Sequence, residues 1–367
     1  MNPTAFLILI IGLVLLVVGA EFLVKGASTI AAILRISPLI IGLTIVAYGT
    51  SAPEMSVSVM SSLSQQGDIA VGNVVGSNIC NILLVLGMSS IVAPLVVTKQ
   101  IIRSDVPIMI GVSLLLLMFS WDGQLSRVDS MILFVGGALY TLSLIYQSGK
   151  QTEEQDEFAE EYSFTGEVNS AIWLKNIVFV IGGSALLIFG SRLLVQSAVS
   201  IAQNFGVSEL LIGLTIVAFG TSLPELATSV VASFRGERDI AVGNVLGSNI
   251  FNILAVLGIA GTLSPEGIAV NDSIVRFDAP VAIAVAFACL PIFYSGKRID
   301  RWEGLLFLFY YLAYNGYLIL NALNHDSLPI YISIMLYVVL PITVIAIITA
   351  VILERKAERQ KQSNKIG

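Results

Sequence analysis

Glu54 and Glu225 each lie inside a long apolar run, in the near-identical segments GTSAPE (49–54) and GTSLPE (220–225). A carboxylate within an apolar span is expensive and marks an ion pathway or relay by default. The proline one residue before each glutamate lacks a backbone donor and pushes off the carbonyl four residues earlier. Pro53 therefore disturbs the carbonyl of Gly49, and Pro224 that of Gly220. Irregular backbone at membrane depth survives only where it lines a cavity or is buried in protein. Carbonyls near Ala47–Thr50 and Ala218–Thr221 thus read as hard oxygen ligands beside the glutamates. Calcium takes roughly six to eight oxygens, and sodium likewise suits hydroxyls and carbonyls.

A second motif follows each glutamate: GNVVGSNICN (72–81) and GNVLGSNIFN (243–252). Gly72 and Gly76 are four apart, so they share a helix face and permit close approach of a neighbour. Asn73, Ser77 and Asn81 have the same spacing and form a polar stripe, repeated by Asn244, Ser248 and Asn252. Taken singly, each of these amides and hydroxyls is also explained by interhelical hydrogen bonding. The glutamates are harder to explain that way, because no intramembrane lysine or arginine stands at a matching duplicated position to neutralise them. One divalent cation would balance both carboxylates, and so would two monovalent cations or two protons. A shared site that cannot hold calcium and a full sodium load together gives exchange by competition.

The elements that position these residues are transmembrane helices. Hydrophobic residues make up 56% of the 367-residue chain and charged ones 12%, which excludes an ordinary soluble domain. Eleven apolar stretches are long enough to span a bilayer: 4–24, 37–63, 69–93, 104–120, 128–147, 171–195, 208–234, 240–263, 275–294, 302–322 and 329–353. Position k of the first half matches k+171 of the second without a gap through both motifs, the mark of internal duplication. Five spans per half, an odd number, predict that the second half enters the membrane upside down, as in many secondary transporters. The expected organisation is a five-helix repeat (1–147), an acidic cytoplasmic linker (148–170), an inverted five-helix repeat (171–322), and an appended eleventh helix with a basic tail (323–367).

Basic residues favour cytoplasmic loops. Lys25 and Arg35, Lys99 and Arg103, Lys150 and Lys175, Arg235 and Arg238, Lys297, Arg298 and Arg301, and the tail from Arg355 all fall on one side. The N-terminus is then outside and the C-terminus inside. The net charge of −6 comes mainly from the linker around EEQDEFAEEY (153–162), which reads as a solvated connector. Glu21, with Lys25 one turn on, reads as an interfacial ion pair. Two cysteines within spans, Cys80 and Cys289, exclude a disulfide framework, and His325 falls in a loop. Ser51 and Ser222 have no histidine or lysine in either motif to activate them, so hydrolysis is not expected. A channel would build rings of ligands from symmetric subunits and fits a single duplicated chain less well.

The paired motifs resemble the two alpha-repeats of the sodium/calcium exchanger family, within the cation/calcium antiporter superfamily, in its compact prokaryotic form. The resemblance implies a membrane antiporter that carries sodium inward and calcium outward, with no cofactor and no obligatory protein partner. It also implies a ligand set of Glu54, Thr50, Ser51, Ala47, Ser77 and Asn81 with Glu225, Thr221, Ser222, Ala218, Ser248 and Asn252. Potassium-cotransporting relatives carry aspartate where this chain has Asn252, so potassium dependence is not expected. Proton/calcium exchange by the wider superfamily is the alternative. A cell inner-membrane location follows from the same resemblance.

Overall fold

The computed structural model describes residues 3–148, 169–294 and 296–352. The acidic segment 153–162 and the basic tail from Arg355 lie outside them. Among the described residues nine helices are long and apolar enough to cross a membrane. They are α1 (Thr4–Leu34), α4 (Gly67–Val92), α5 (Ile101–Phe119), α6 (Arg127–Ser148), α7 (Ser170–Asn204), α10 (Arg238–Leu263), α11 (Ile274–Tyr294), α12 (Arg301–Ala322) and α13 (Leu328–Ile352). The other two apolar stretches are broken helices. The first divides into α2 (Pro38–Thr50) and α3 (Ala52–Leu63), the second into α8 (209–220) and α9 (Leu223–Phe234). Both breaks fall at the serine of the motif: Ser51 has φ −79° and ψ 7°, and Ser222 has φ −84° and ψ 5°. Proline then occupies the first turn of the new helix, where its missing N–H costs nothing.

Helices α1 and α7 run further than hydropathy alone suggests, ending at Leu34 and Asn204. Lys25 and Arg192 interrupt the apolar run without breaking the helix. Ala27, Ile30 and Ala31 beyond Lys25 are still buried in the core. The ion pair expected at Glu21 is made across the halves, to Arg235 at 2.6 Å.

Two observations give the direction of the repeats. Gly12 of α1 meets the backbone of Gly190 and Leu194 on α7, Gly19 meets Gly183 and Leu187, and Gly26 meets Asn176. Numbers rise on one helix as they fall on the other, so these duplicated helices are antiparallel. A Cβ at Gly12 or Gly19 would stand 2.8 Å from a backbone atom, which is why small residues serve there. The second observation is in the loops. Strand β1 (Leu95–Val96) pairs antiparallel with β4 (Arg298–Ile299), and β2 (Gln124–Leu125) with β3 (Ile268–Ala269). Helix α5, 19 residues long, lies between β1 and β2 and spans about 28 Å at 1.5 Å per residue. The loops holding β1 and β3, equivalent in the duplication, therefore lie at opposite ends of the molecule.

At the centre are the helices of the second motif. The whole apolar window of α10 is buried and most of that of α4, whereas that of α13 has no buried residue. The appended helix docks on α12 by polar contacts, Tyr331 Oη donating to the Ala313 carbonyl and Tyr310 Oη to Thr343 Oγ1, each at 2.7 Å. Its remaining apolar surface faces outward, as lipid contact requires.

Wide π turns interrupt the helices at matching places: Gly42–Val46 and Gly213–Val217, Asn81–Leu86 and Asn252–Leu257, Ile101–Asp105 and Ile274–Asp278. Such turns insert one residue, re-aim the side chains that follow, and cluster at functional sites.

Equal sequences are packed unequally. Helix α2 is clamped on α10, where a Cβ on Gly243 would stand 2.7 Å from the Leu39 carbonyl and one on Gly247 2.8 Å from Leu43. The equivalent glycines of α4 are open. A Cβ at Gly72 would meet only Ile274 at 3.7 Å, and at Gly76 nothing among the described residues within 4 Å. Gly247→Ala should therefore destabilise the protein by about 1–3 kcal/mol through overpacking. Gly76→Ala should be neutral or stabilise by up to about 1 kcal/mol, from helix propensity. Thermal unfolding of the two purified variants beside the parent chain measures both.

Candidate cation site

Glu54 and Glu225 stand in the first turns of α3 and α9, so both carboxylates sit at positive helix ends. Both are fully buried and are each other's electrostatic neighbours. Hydroxyls cross from one half to the other to reach them. Ser51 Oγ donates to Glu225 Oε1 at 3.2 Å, with Thr50 and Ser248 beside the same carboxylate. Thr221 lies against Glu54, and Ser77 Oγ approaches Glu54 Oε1 at 3.5 Å. Each broken helix thus offers its hydroxyls to the glutamate of the other.

Asn73 and Asn244 brace this arrangement from behind. Asn73 Nδ2 donates to Ser58 Oγ at 3.0 Å and to the Glu54 carbonyl at 3.3 Å. Asn244 Nδ2 does the same with Ser229 Oγ at 2.9 Å and the Glu225 carbonyl at 3.5 Å. Their oxygens accept from the threonines of the opposite half, Thr221 at 3.3 Å and Thr50 at 3.0 Å. These two stripe residues are spent on helix bracing. The next two positions of each stripe, Ser77 and Asn81 with Ser248 and Asn252, turn toward the glutamates or the centre.

Several buried side-chain oxygens in these motifs have no hydrogen-bond partner: Glu54 Oε2, Glu225 Oε2, Asn81 Oδ1, Asn252 Oδ1, Ser222 Oγ and Ser248 Oγ. Buried acceptors left unpaired are costly. A cation coordinated by oxygens relieves that cost, and a carboxylate, amide and hydroxyl donor set suits a hard ion such as calcium. Among the described residues no cluster of three or more histidine, cysteine, aspartate or glutamate side chains exists. The charge at the centre therefore rests on two carboxylates, which one divalent ion balances.

The alanines differ from the simple expectation of freed carbonyls. Ala47 is buried, but its carbonyl accepts the Ser51 N–H at 3.0 Å and the Thr50 hydroxyl at 3.4 Å. The chain breaks one residue later than a break at Ala47 would require, so that carbonyl offers a cation only its remaining lone-pair capacity. In the second half the Ser222 N–H bonds the Phe219 carbonyl at 3.1 Å, and Ala218 is exposed. A cavity of about 590 Å³ adjoins Ser51, but Met55, Phe134, Leu142, Phe251 and Ile259 give it an apolar wall unsuited to a hydrated ion.

Other polar residues were not singled out from sequence. Asn78 and Asn249 sit between the named serines and asparagines and join the halves directly. Two further acids, Asp105 buried and Asp278 half-buried, are each held by a tyrosine: Tyr140 Oη donates to Asp105 at 3.4 Å and Tyr314 Oη to Asp278 at 2.8 Å. Their signal was present in the matching segments IIRSD (101–105) and IVRFD (274–278), weaker than the GTSxPE repeat.

Because the carboxylates share one charge balance, Glu54→Gln or Glu225→Gln should weaken calcium binding at least about 100-fold, about 3 kcal/mol, by leaving one buried charge unmatched. Calorimetric titration of the purified variants with calcium measures this, and unchanged binding in either would separate that glutamate from the site.

The family model for sodium/calcium exchanger proteins matches residues 4–148 and 175–320. The inner membrane protein YrbG of Escherichia coli is 40% identical over 292 residues, covering 77% of this chain and 87% of the relative. The sodium/calcium exchanger MaX1 of Methanosarcina acetivorans is 34% identical over 341 residues, covering 84% and 97% respectively. The solved structure of the sodium-calcium exchanger NCX_Mj superposes with a TM-score of 0.72 at 30% identity, covering 85% of this chain and 98% of that one. The chain is a multi-pass membrane protein that belongs to the sodium/calcium exchanger family of cation/calcium antiporters.

Proposed function

We propose that this chain is a sodium-driven calcium antiporter that works by alternating access, extrudes calcium from the cytoplasm and needs no potassium. The observation that carries the reading is the pair of fully buried glutamates, one from each half, with the unpaired oxygens of Asn81, Asn252, Ser222 and Ser248 in the same two motifs. The twelve residues named from sequence are the proposed transport ligands. Ala47 and Ala218 contribute through backbone, and the others through side chains.

Competition supplies the coupling. Two negative charges accept one calcium ion or an equal charge of sodium, and adding both would leave excess positive charge in a low-dielectric centre. The same arithmetic argues against a potassium ion beside calcium, since Asn252 supplies a neutral amide and no third carboxylate.

The unequal packing of equal sequences supports alternating access. With the clamped glycines Gly243 and Gly247 on one side and the open Gly72 and Gly76 on the other, exchange of the two packings would move the barrier across the site. Basic loop charge puts the clamped, α2-side barrier in the cytoplasmic half and the N-terminus outside. The linker 148–170 then connects the halves on the cytoplasmic face.

Reconstituted vesicles test the reading. With the membrane potential clamped and choline replacing potassium on both faces, an outward sodium gradient should drive radioactive calcium uptake. A proton gradient alone should not. Uptake driven by protons without sodium would favour the proton/calcium alternative, and collapse without potassium would contradict the argument from Asn252.

A further inference from the structure

Asn78 and Asn249 cross between the central helices α4 and α10. The Asn78 side-chain nitrogen donates to the Asn249 backbone carbonyl at 3.0 Å, and the Asn249 side-chain nitrogen donates to the Asn78 carbonyl at 3.3 Å. Asn249 Nδ2 also faces the Met109 sulfur at 3.6 Å. Both asparagines are buried, where an unmet amide is costly.

This reciprocal pair dictates which way the neighbouring amides face. A backbone carbonyl can only accept, so the Asn78 atom that meets it must be the NH2 group. The other end of Asn78 is then its oxygen, an acceptor. Asn252 meets that oxygen at 3.1 Å and must present its own NH2. The same logic runs from the Asn78 carbonyl through Asn249 to Asn81, whose NH2 donates to Asn249 Oδ1 at 3.0 Å. What remains on Asn81 and Asn252 is Oδ1, and these are the two amide oxygens found buried without a partner. A backbone carbonyl in each half thus determines, through one intervening amide of the other half, that the ligand residue three positions further along its own half offers an oxygen and withholds an N–H.

We infer that Asn78 and Asn249 are positioning residues for ion selection: they hold Asn252 and Asn81 with oxygen toward the transported cation. The inference rests on the proposed cation site and adds two residues that touch no ion. A turned amide would aim hydrogens at a cation, so the device excludes the one orientation that would repel the substrate. It also joins α4 to α10 at the level of the site, since both bonds of the cross run between the halves.

The test uses the full chain in detergent, with calcium ions as the titrant. Asn78→Leu keeps the branched shape of the amide but neither donates nor accepts, so nothing restrains Asn252. It should weaken calcium binding by about 10–100-fold, the usual loss when a partner that orients a ligand is removed. A carboxylate at position 252 has oxygen at both ends and needs no orienting. Introducing Asn78→Leu into the Asn252→Asp chain should therefore change calcium affinity little. Asn249→Leu, alone and with Asn81→Asp, is the matching cycle in the other half and serves if Asn78→Leu does not elute as a folded, monodisperse protein. Equal losses in the asparagine and aspartate backgrounds would mean that Asn78 and Asn249 act only through packing, and would overturn the inference while leaving the cation site standing. A parent chain that bound no calcium would overturn the proposed function and this inference with it.

Discussion

Two buried carboxylates that act on each other electrostatically, with no basic partner among the described residues, are the constraint around which the molecule is arranged. Glu54 and Glu225 are removed from water by the helices around them, and the cost of such charges is met only by a positive ion or by protons. Everything close to them is consistent with that demand. The helix breaks at Ser51 and Ser222 put each glutamate in a helix first turn, and the hydroxyls of one half reach the glutamate of the other. Asn73 and Asn244 use their nitrogens on the helix that carries the glutamate. The oxygens left over point to a cation because every one of them can accept, and four of the six are carboxylate or amide oxygens with no hydrogen of their own.

Duplication explains how one short motif builds such a centre. A single copy supplies one carboxylate, one broken helix and one set of amides, which is half of the buried centre. Two antiparallel copies, crossed through Gly12 with Gly190 and Gly19 with Gly183, bring the second set in from the opposite direction. The strand pairs at the two ends have the same relation. Yet the copies are not packed alike: α2 lies tight on α10, whose Gly243 and Gly247 are buried, while Gly72 and Gly76 of α4 are only half-buried and have no close neighbour among the described residues. Sequence symmetry with packing asymmetry is what a carrier needs if two equivalent arrangements are to exchange across one site.

Much of this was legible in the residues. The eleven apolar stretches correspond to nine long helices and two broken ones, because apolar length and the proline after a small hydroxyl are local signals. The exact repetition of GTSxPE and GNVxGSNIxN picked out the glutamates and their hydroxyl and amide neighbours. Less was legible where geometry depends on partners far along the chain. The extension of α1 to Leu34 follows from burial of Ala27, Ile30 and Ala31, not from hydropathy. The π turns have no composition of their own. Asn78 lies off the four-residue stripe of Asn73, Ser77 and Asn81, and only its contact with a backbone carbonyl of the other half brings it to notice. The Ala47 carbonyl, expected to be free, is taken by Ser51 because the break falls after Thr50.

A diffraction measurement at a wavelength that reveals calcium or strontium by anomalous scattering addresses the central claim most directly. Crystals of the full chain grown with either ion should contain a single strong peak between the Glu54 and Glu225 carboxylates, within coordinating distance of both. A peak bound to only one glutamate, or one at Asp105 or Asp278 with none between the pair, would contradict the account of a divalent site shared by the two halves.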